Sequence, residues 1–201
     1  FFDLVCFVFF RRLFVGWVCC VFVSGLGESA FKGCHILSYL TLSESVKCIG
    51  YGAFYGVNNT IEVNYTGTID AWVEIDGLSN LMDHDVTLTI YGKPVIEANV
   101  TNANKINARA FYGCKSLTNV IIGNNVTSIG EGAFDGCSGL TNVVWNAENC
   151  TKIGSNHYQK IFSYCSKLTN ITIGDNVKTI PACAFYNCSG LISITIPDRV
   201  T

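Results

Sequence analysis

Val126-Thr-Ser-Ile-Gly-Glu-Gly-Ala-Phe-Asp-Gly-Cys-Ser-Gly-Leu140 holds most of one cycle of a repeating pattern. It has a Val-x-x-Ile-Gly corner, an Ala-Phe pair, a Cys three residues after the Phe and a Leu three residues after the Cys. Thr141-Asn142-Val143-Val144-Trp145 completes the cycle, and the pattern starts again. The Phe recurs at Phe31, Phe54, Phe111, Phe134, Phe162 and Phe185, at intervals of 23, 57, 23, 28 and 23. A fixed period of this length is the signature of a repeat array, and it decides the fold before any single motif does.

The apolar columns sort by spacing. Leu117, Val120 and Ile122 are matched by Leu140, Val143 and Trp145, by Leu168, Ile171 and Ile173, and by Leu191, Ile194 and Ile196. The final spacing of two marks a strand with alternating faces. One 23-residue unit buries about six apolar side chains at roughly 1.5–3 kcal/mol each. Backbone ordering costs about 1–2 kcal/mol per residue, so a lone unit cannot fold. Stacked units share their cores and bond backbone to backbone, which predicts a parallel sheet with strands about 4.8 Å apart.

The pattern breaks in two places. Residues 1–23 stand outside it: two apolar runs flank Arg11 and Arg12, and neither reaches the roughly 18 residues of a membrane span. They read as a signal-like segment, an anchor or non-native sequence. Residues 24–201 form the repeat region, with an irregular variant at 57–107. There Trp72 takes the place of a Phe, and Val86, Leu88 and Ile90 alternate as a strand turned by Gly92-Lys93. The chain has no Met at its start and stops at Pro197–Thr201 inside a unit, so it reads as a fragment of a longer array.

The 11 Cys suggest a disulfide scaffold by number but not by position. Cys34, Cys114, Cys137, Cys165 and Cys188 form one column, with Val57 in the same place in another unit. This predicts an interior ladder of thiols acting as small hydrophobes, with neighbouring rungs still within reach of a disulfide.

Leu-x-x-Val-x-Ile-(Pro/Gly)-x-x-Val-x-x-Ile-Gly-x-x-Ala-Phe-x-x-Cys closely resembles the BspA-type leucine-rich repeat, and the resemblance covers residues 24–201. It implies a leucine-rich repeat solenoid: a right-handed coil of about 23-residue units, with a parallel β-sheet on one face and short turns or helical segments on the other. It also implies a cell-surface or secreted protein that binds or adheres to a protein ligand, such as a host matrix or surface protein.

The residues themselves carry no sign of catalysis. His35, His84 and His157 occupy different phases of the repeat. The acidic stretch Asp70, Glu74, Asp76 and Asp83-His84-Asp85 lacks the spacing of a calcium loop and reads as a solvated face. No phosphate-binding loop or nucleophile motif is present, so no cofactor, metal or catalytic residue is assigned. A net charge of −2 draws the chain neither to nucleic acid nor to anionic membrane; membrane contact falls to residues 1–23 if anywhere. Seven Asn-x-Ser/Thr sites (Asn58, Asn64, Asn99, Asn125, Asn149, Asn170 and Asn187) are expected mainly from the Asn- and Thr-rich composition.

Once core and corner residues are set aside, the outward strand positions remain as the candidate ligand surface. Across successive units these are Tyr39 and Thr41; Thr118, Asn119 and Ile121; Thr141, Asn142 and Val144; Thr169, Asn170 and Thr172; and Ser193 and Thr195. Aligned small polar side chains suit an extended protein ligand. The competing reading is a structural stalk or spacer that carries another domain.

Overall fold

The computed structural model describes residues 9–13, 16–21, 23–150, 152–153 and 160–201. It is a leucine-rich repeat solenoid, and it divides into two compact units: residues 1–68 with 75–93, and residues 69–74 with 94–201. All three crossings, at 68/69, 74/75 and 93/94, fall inside the irregular stretch 57–107.

In the first unit the strands are β1 (Phe9–Leu13), β2 (Gly16–Val21), β3 (Gly25–Leu26), β4 (Tyr39–Ser43), β5 (Cys48–Ile49), β6 (Ile61–Thr66), β7 (Val86–Ile90) and β8 (Lys93–Pro94), on which the chain leaves the unit. One sheet runs β1-β2-β4-β6-β7-β8, and β3 pairs with β5. β2, β4, β6 and β7 are parallel, with Leu40 opposite Val63 and Val63 opposite Leu88. The sheet therefore reaches into the segment that the sequence sets outside the repeat, with Val18 opposite Tyr39. Residues 1–8, 14, 15 and 22 of that segment lie outside the described residues. Among the described residues no helix is long and apolar enough to cross a membrane. A short helix, Ser79–Met82, buries Leu81 and Met82. It follows Gly77, at φ 74, where a Cβ would collide with the Ile49 carbonyl.

In the second unit β9 (Glu97–Val100), β11 (Asn119–Ile122), β13 (Asn142–Trp145) and β15 (Asn170–Ile173) form a parallel sheet in the order β15-β13-β11-β9. β10 (Lys105–Ile106), β12 (Ser128–Ile129) and β14 (Lys152–Ile153) form the second wall. The alternation is as expected: Val120, Ile122, Val143 and Trp145 are buried, and their neighbours face out. Leu191, Ile194 and Ile196 depart from it, because residues 191–196 carry no strand, and Ile196 is 47% exposed.

The Phe column is a stack. Ring centroids lie 5.2 Å apart for Phe31–Phe54, then 5.4, 5.1 and 5.7 Å along Phe111, Phe134, Phe162 and Phe185. The backbone sets this spacing. Four of the Phe N–H groups donate to the carbonyl just before the next Phe: Phe31 to Ala53, Phe111 to Ala133, Phe134 to Ile161 and Phe162 to Ala184, at 2.7–2.9 Å. In the irregular unit Trp72, on the short helix Ile69–Val73, is fully buried, and its indole N–H donates to the Ala110 carbonyl at 2.8 Å. An indole thus does the work of a backbone amide where the chain cannot present one.

The Cys column lies inside. Among the described residues the cysteines are free thiols. Cys137 donates to the Phe111 carbonyl at 3.0 Å, Cys165 to Phe134 at 3.3 Å and Cys188 to Phe162 at 3.0 Å. Burial pushes Cys114 and Cys165 up to about 12, Cys150 up to about 11 and Cys137 well above its ordinary value. The off-column Cys48 is exposed.

Two outcomes follow. A raised thiol value means that the unfolded chain loses its proton first. The stability held by these thiols is complete below their ordinary value of 9.0 and is lost as pH rises towards about 12. Urea midpoints measured from pH 8 to pH 11 should fall, with each such thiol contributing about 1.4 kcal/mol per pH unit once the unfolded thiol is ionised. A flat profile would contradict the buried ladder. Trp72→Phe keeps the ring and removes the indole donor, which should cost about 1–3 kcal/mol in equilibrium denaturation.

Candidate functional site

The strand residues proposed for the ligand surface stand on two sheets, one in each unit. Tyr39 and Thr41 lie on β4 of the first unit, opposite Glu62 and Asn64 of β6. The remaining strand residues lie on the sheet of the second unit. The irregular stretch separates the two sets, because the chain changes unit there. Ser193 and Thr195 must be corrected: they sit on residues 191–196, which make no ladder and so belong to no sheet.

On the second unit the register is strict. Asn119 stands opposite Asn142, and Asn142 opposite Asn170. Strict register stacks identical amides, and they bond to each other. The Asn170 amide donates to Asn142 Oδ1 at 2.8 Å, Asn142 donates to Asn119 Oδ1 at 2.8 Å, and Asn119 donates to Glu97 Oε1 at 3.4 Å. Such amide ladders stabilise in-register strands. A second ladder runs beside the first. Thr118 donates to the Ile96 carbonyl, Thr141 to Thr118 and Thr169 to Thr141, at 3.1–3.4 Å. Asn119 and Asn142 also donate to the preceding Thr hydroxyls. The donors of these two amides are therefore spent within the protein. Ile121, Val144 and Thr172 form the adjacent outward column, without side-chain hydrogen bonds.

The sequence reading missed β9. Its outward Glu97 and Asn99 continue the two columns, opposite Asn119 and Ile121. The signal was present in Glu97–Val100, which alternates out and in like the later strands. It was obscured because Ala98 replaces a large core residue.

A groove of about 540 Å³ opens where the strands of the second unit end. Thr101, Asn124, Asn146, Glu148, Asp175 and Asn176 line it, and Ile121 from the sheet face also reaches it. Each lining corner follows a strand: Gly123-Asn124 after β11, Asn146 after β13, and Gly174-Asp175-Asn176 after β15. The glycines let successive corners pack closely. A Cβ on Gly123 would come within 2.9 Å of Thr101 Cα, and one on Gly174 within 2.7 Å of Asn146 Oδ1. In contrast to the ladder amides, the side chains of Asn124, Asn146, Glu148 and Asp175 take no hydrogen bond or ion pair from the described residues. The recurrence of Asn or Asp within three residues after β11, β13 and β15 was the available signal.

The other singled-out groups have structural partners. His35 Nδ1 meets the Gly56 carbonyl at 2.7 Å, and His84 lies edge-on to Phe54 at 6.3 Å; His157 lies outside the described residues. Two of the acids expected to be merely solvated hold a loop instead. Asp70 accepts from the backbone of Asn102 and Ala103, and Glu74 from Asn104. Asp85 accepts from Thr60. Among the described residues no three His, Cys, Asp or Glu come together as a metal site would require. Of the glycosylation motifs, Asn125 donates to the Thr101 carbonyl, and Asn64 accepts from Gly92.

The family model described as BspA type leucine rich repeat region matches six copies, over residues 22–73 and 93–201. No curated protein matches the chain at a significant level. Among solved structures, a leucine-rich repeat protein from Bacteroides ovatus is similar at 22% identity, with a TM-score of 0.51; the match covers 88% of this chain and half of that one. The T. pallidum leucine rich repeat protein gives 20% identity and a TM-score of 0.41, over 92% of this chain and 78% of that one. A leucine rich cell surface protein from Faecalibacterium prausnitzii gives 16% identity and a TM-score of 0.35, over 96% and 81%.

The ladder gives a direct test. Asn142→Ala removes two donated bonds and one accepted bond and should cost about 1–3 kcal/mol. Asn170→Ala, at the exposed end, should cost less than about 1 kcal/mol. Urea midpoints at constant m-value would show the difference.

Proposed function

Since this chain belongs to the BspA-type leucine-rich repeat family, we propose that it is a non-enzymatic protein-binding or adhesion module of a cell-surface or secreted protein. Its ligand lies on the outward face of the second unit's sheet. The observation that supports this reading is the paired column of Ile121, Val144 and Thr172 beside the Asn ladder. The ladder fixes the side chains before any ligand arrives, so binding does not bear the cost of ordering them. The adjacent column is free of internal hydrogen bonds and presents apolar and hydroxyl groups at strand spacing, which suits an extended polypeptide. Host matrix or surface proteins are the partner class. The spent donors of Asn119 and Asn142 favour the alternative of a stalk or spacer, because they have little left to offer a ligand.

Ile121→Arg and Val144→Arg decide between the two. Neither residue takes part in a ladder, so both variants should retain the native urea midpoint to within about 1 kcal/mol. Capture of cells or of immobilised matrix proteins should fall at least tenfold. Unchanged capture by both variants would sink the sheet-face reading and leave the spacer.

A further inference from the structure

We propose that the groove at the strand ends of the second unit is a subsite for a basic side chain, Lys or Arg, of the bound polypeptide. This rests on the sheet-face reading above and specifies the chemistry of its partner. Ile121 belongs both to the outward column and to the groove wall, and the lining corners follow β11, β13 and β15, so a chain lying along the column lies beside the groove and within side-chain reach of it. The volume of about 540 Å³ holds a long side chain and its neighbours.

The chemistry of the wall selects the charge. Glu148 and Asp175 supply two carboxylates, and among the described residues no Lys or Arg lines the groove. Asn124 and Asn146 add amide oxygens that nothing in the described structure engages. The four groups are unspent acceptors at the margin of a face on which the donors of Asn119 and Asn142 are already used. An ammonium or guanidinium offers several donors and no acceptor, which complements such a wall. The same row of corners already receives one: Arg199 donates to Asn176 Oδ1 at 3.1 Å and does not itself line the groove.

The test uses 12-residue Gly/Ser peptides carrying four Lys, four Glu or only Ser at the same positions, titrated against the whole chain. The Lys peptide should bind at least tenfold more tightly than the Ser peptide, the Glu peptide should not bind, and raising salt should weaken the Lys complex. Glu148→Gln with Asp175→Asn should lower the affinity for the Lys peptide at least tenfold. Glu28→Gln with Glu62→Gln makes the same change in net charge on exposed residues of the first unit and should change it less than twofold. Equal binding of the Lys and Ser peptides, or equal losses in the two double variants, would overturn the groove. The parent reading is tested separately. If the sheet-face Arg variants lose matrix capture while the groove variant keeps both capture and Lys-peptide binding, only the subsite fails. If the Arg variants keep capture, the failure lies with the face.

Discussion

The hydrogen bond from the amides of Phe31, Phe111, Phe134 and Phe162 to the carbonyl before the next Phe is the contact on which the rest of the repeat depends. It fixes the distance between turns, and at that distance the rings stack 5.1–5.7 Å apart. The same spacing sets the sulfurs of Cys137, Cys165 and Cys188 against the Phe carbonyls of the preceding turn and places Asn119, Asn142 and Asn170 opposite one another. Core, thiol ladder and surface ladder are three consequences of one register. Trp72 shows how strict the requirement is: where the regular turn is lost, an indole N–H supplies the missing donor to Ala110.

A repeat built this way divides its side chains between two tasks. Large apolar residues face inward, where one turn completes the core of the next. The outward polar residues are also drawn into the repeat, because identical amides in register bond to each other. What remains for recognition is narrower than the sheet as a whole. The surface we propose is the column of Ile121, Val144 and Thr172, together with the corners where the strands end. Regularity stabilises the scaffold, and the breaks in regularity leave polar groups free to bind.

Most of the fold was legible in the sequence, because its cause is periodic. Most residues of the Phe, Cys, Leu, Val and Ile columns lie inside as their spacing requires, although Leu191, Ile194 and Ile196 of the last unit do not, and Trp72 is buried at the place where the spacing expects a Phe. The reading failed where periodicity fails. Tyr39 and Thr41 are on a different sheet from Asn119, Asn142 and Asn170, since the chain changes unit within the irregular stretch. Ser193 and Thr195 match the pattern by number, yet they make no ladder. β9 was overlooked because Ala98 is a weak core signal. Asp70 and Glu74 look solvated in sequence, but they cap a loop some 30 residues away.

Sequence by itself determined the family, the parallel strands, the buried Phe and Cys columns and the identity of the outward residues. Each of these follows from spacing along the chain, and spacing is local information. Only the tertiary structure decided which outward amides are spent and which are free. That depends on what stands opposite each residue in another turn: Asn119 and Asn142 face one another and bond, while Asn124 and Asn146, a few residues further on, open into a groove. The difference between scaffold and site lies in register.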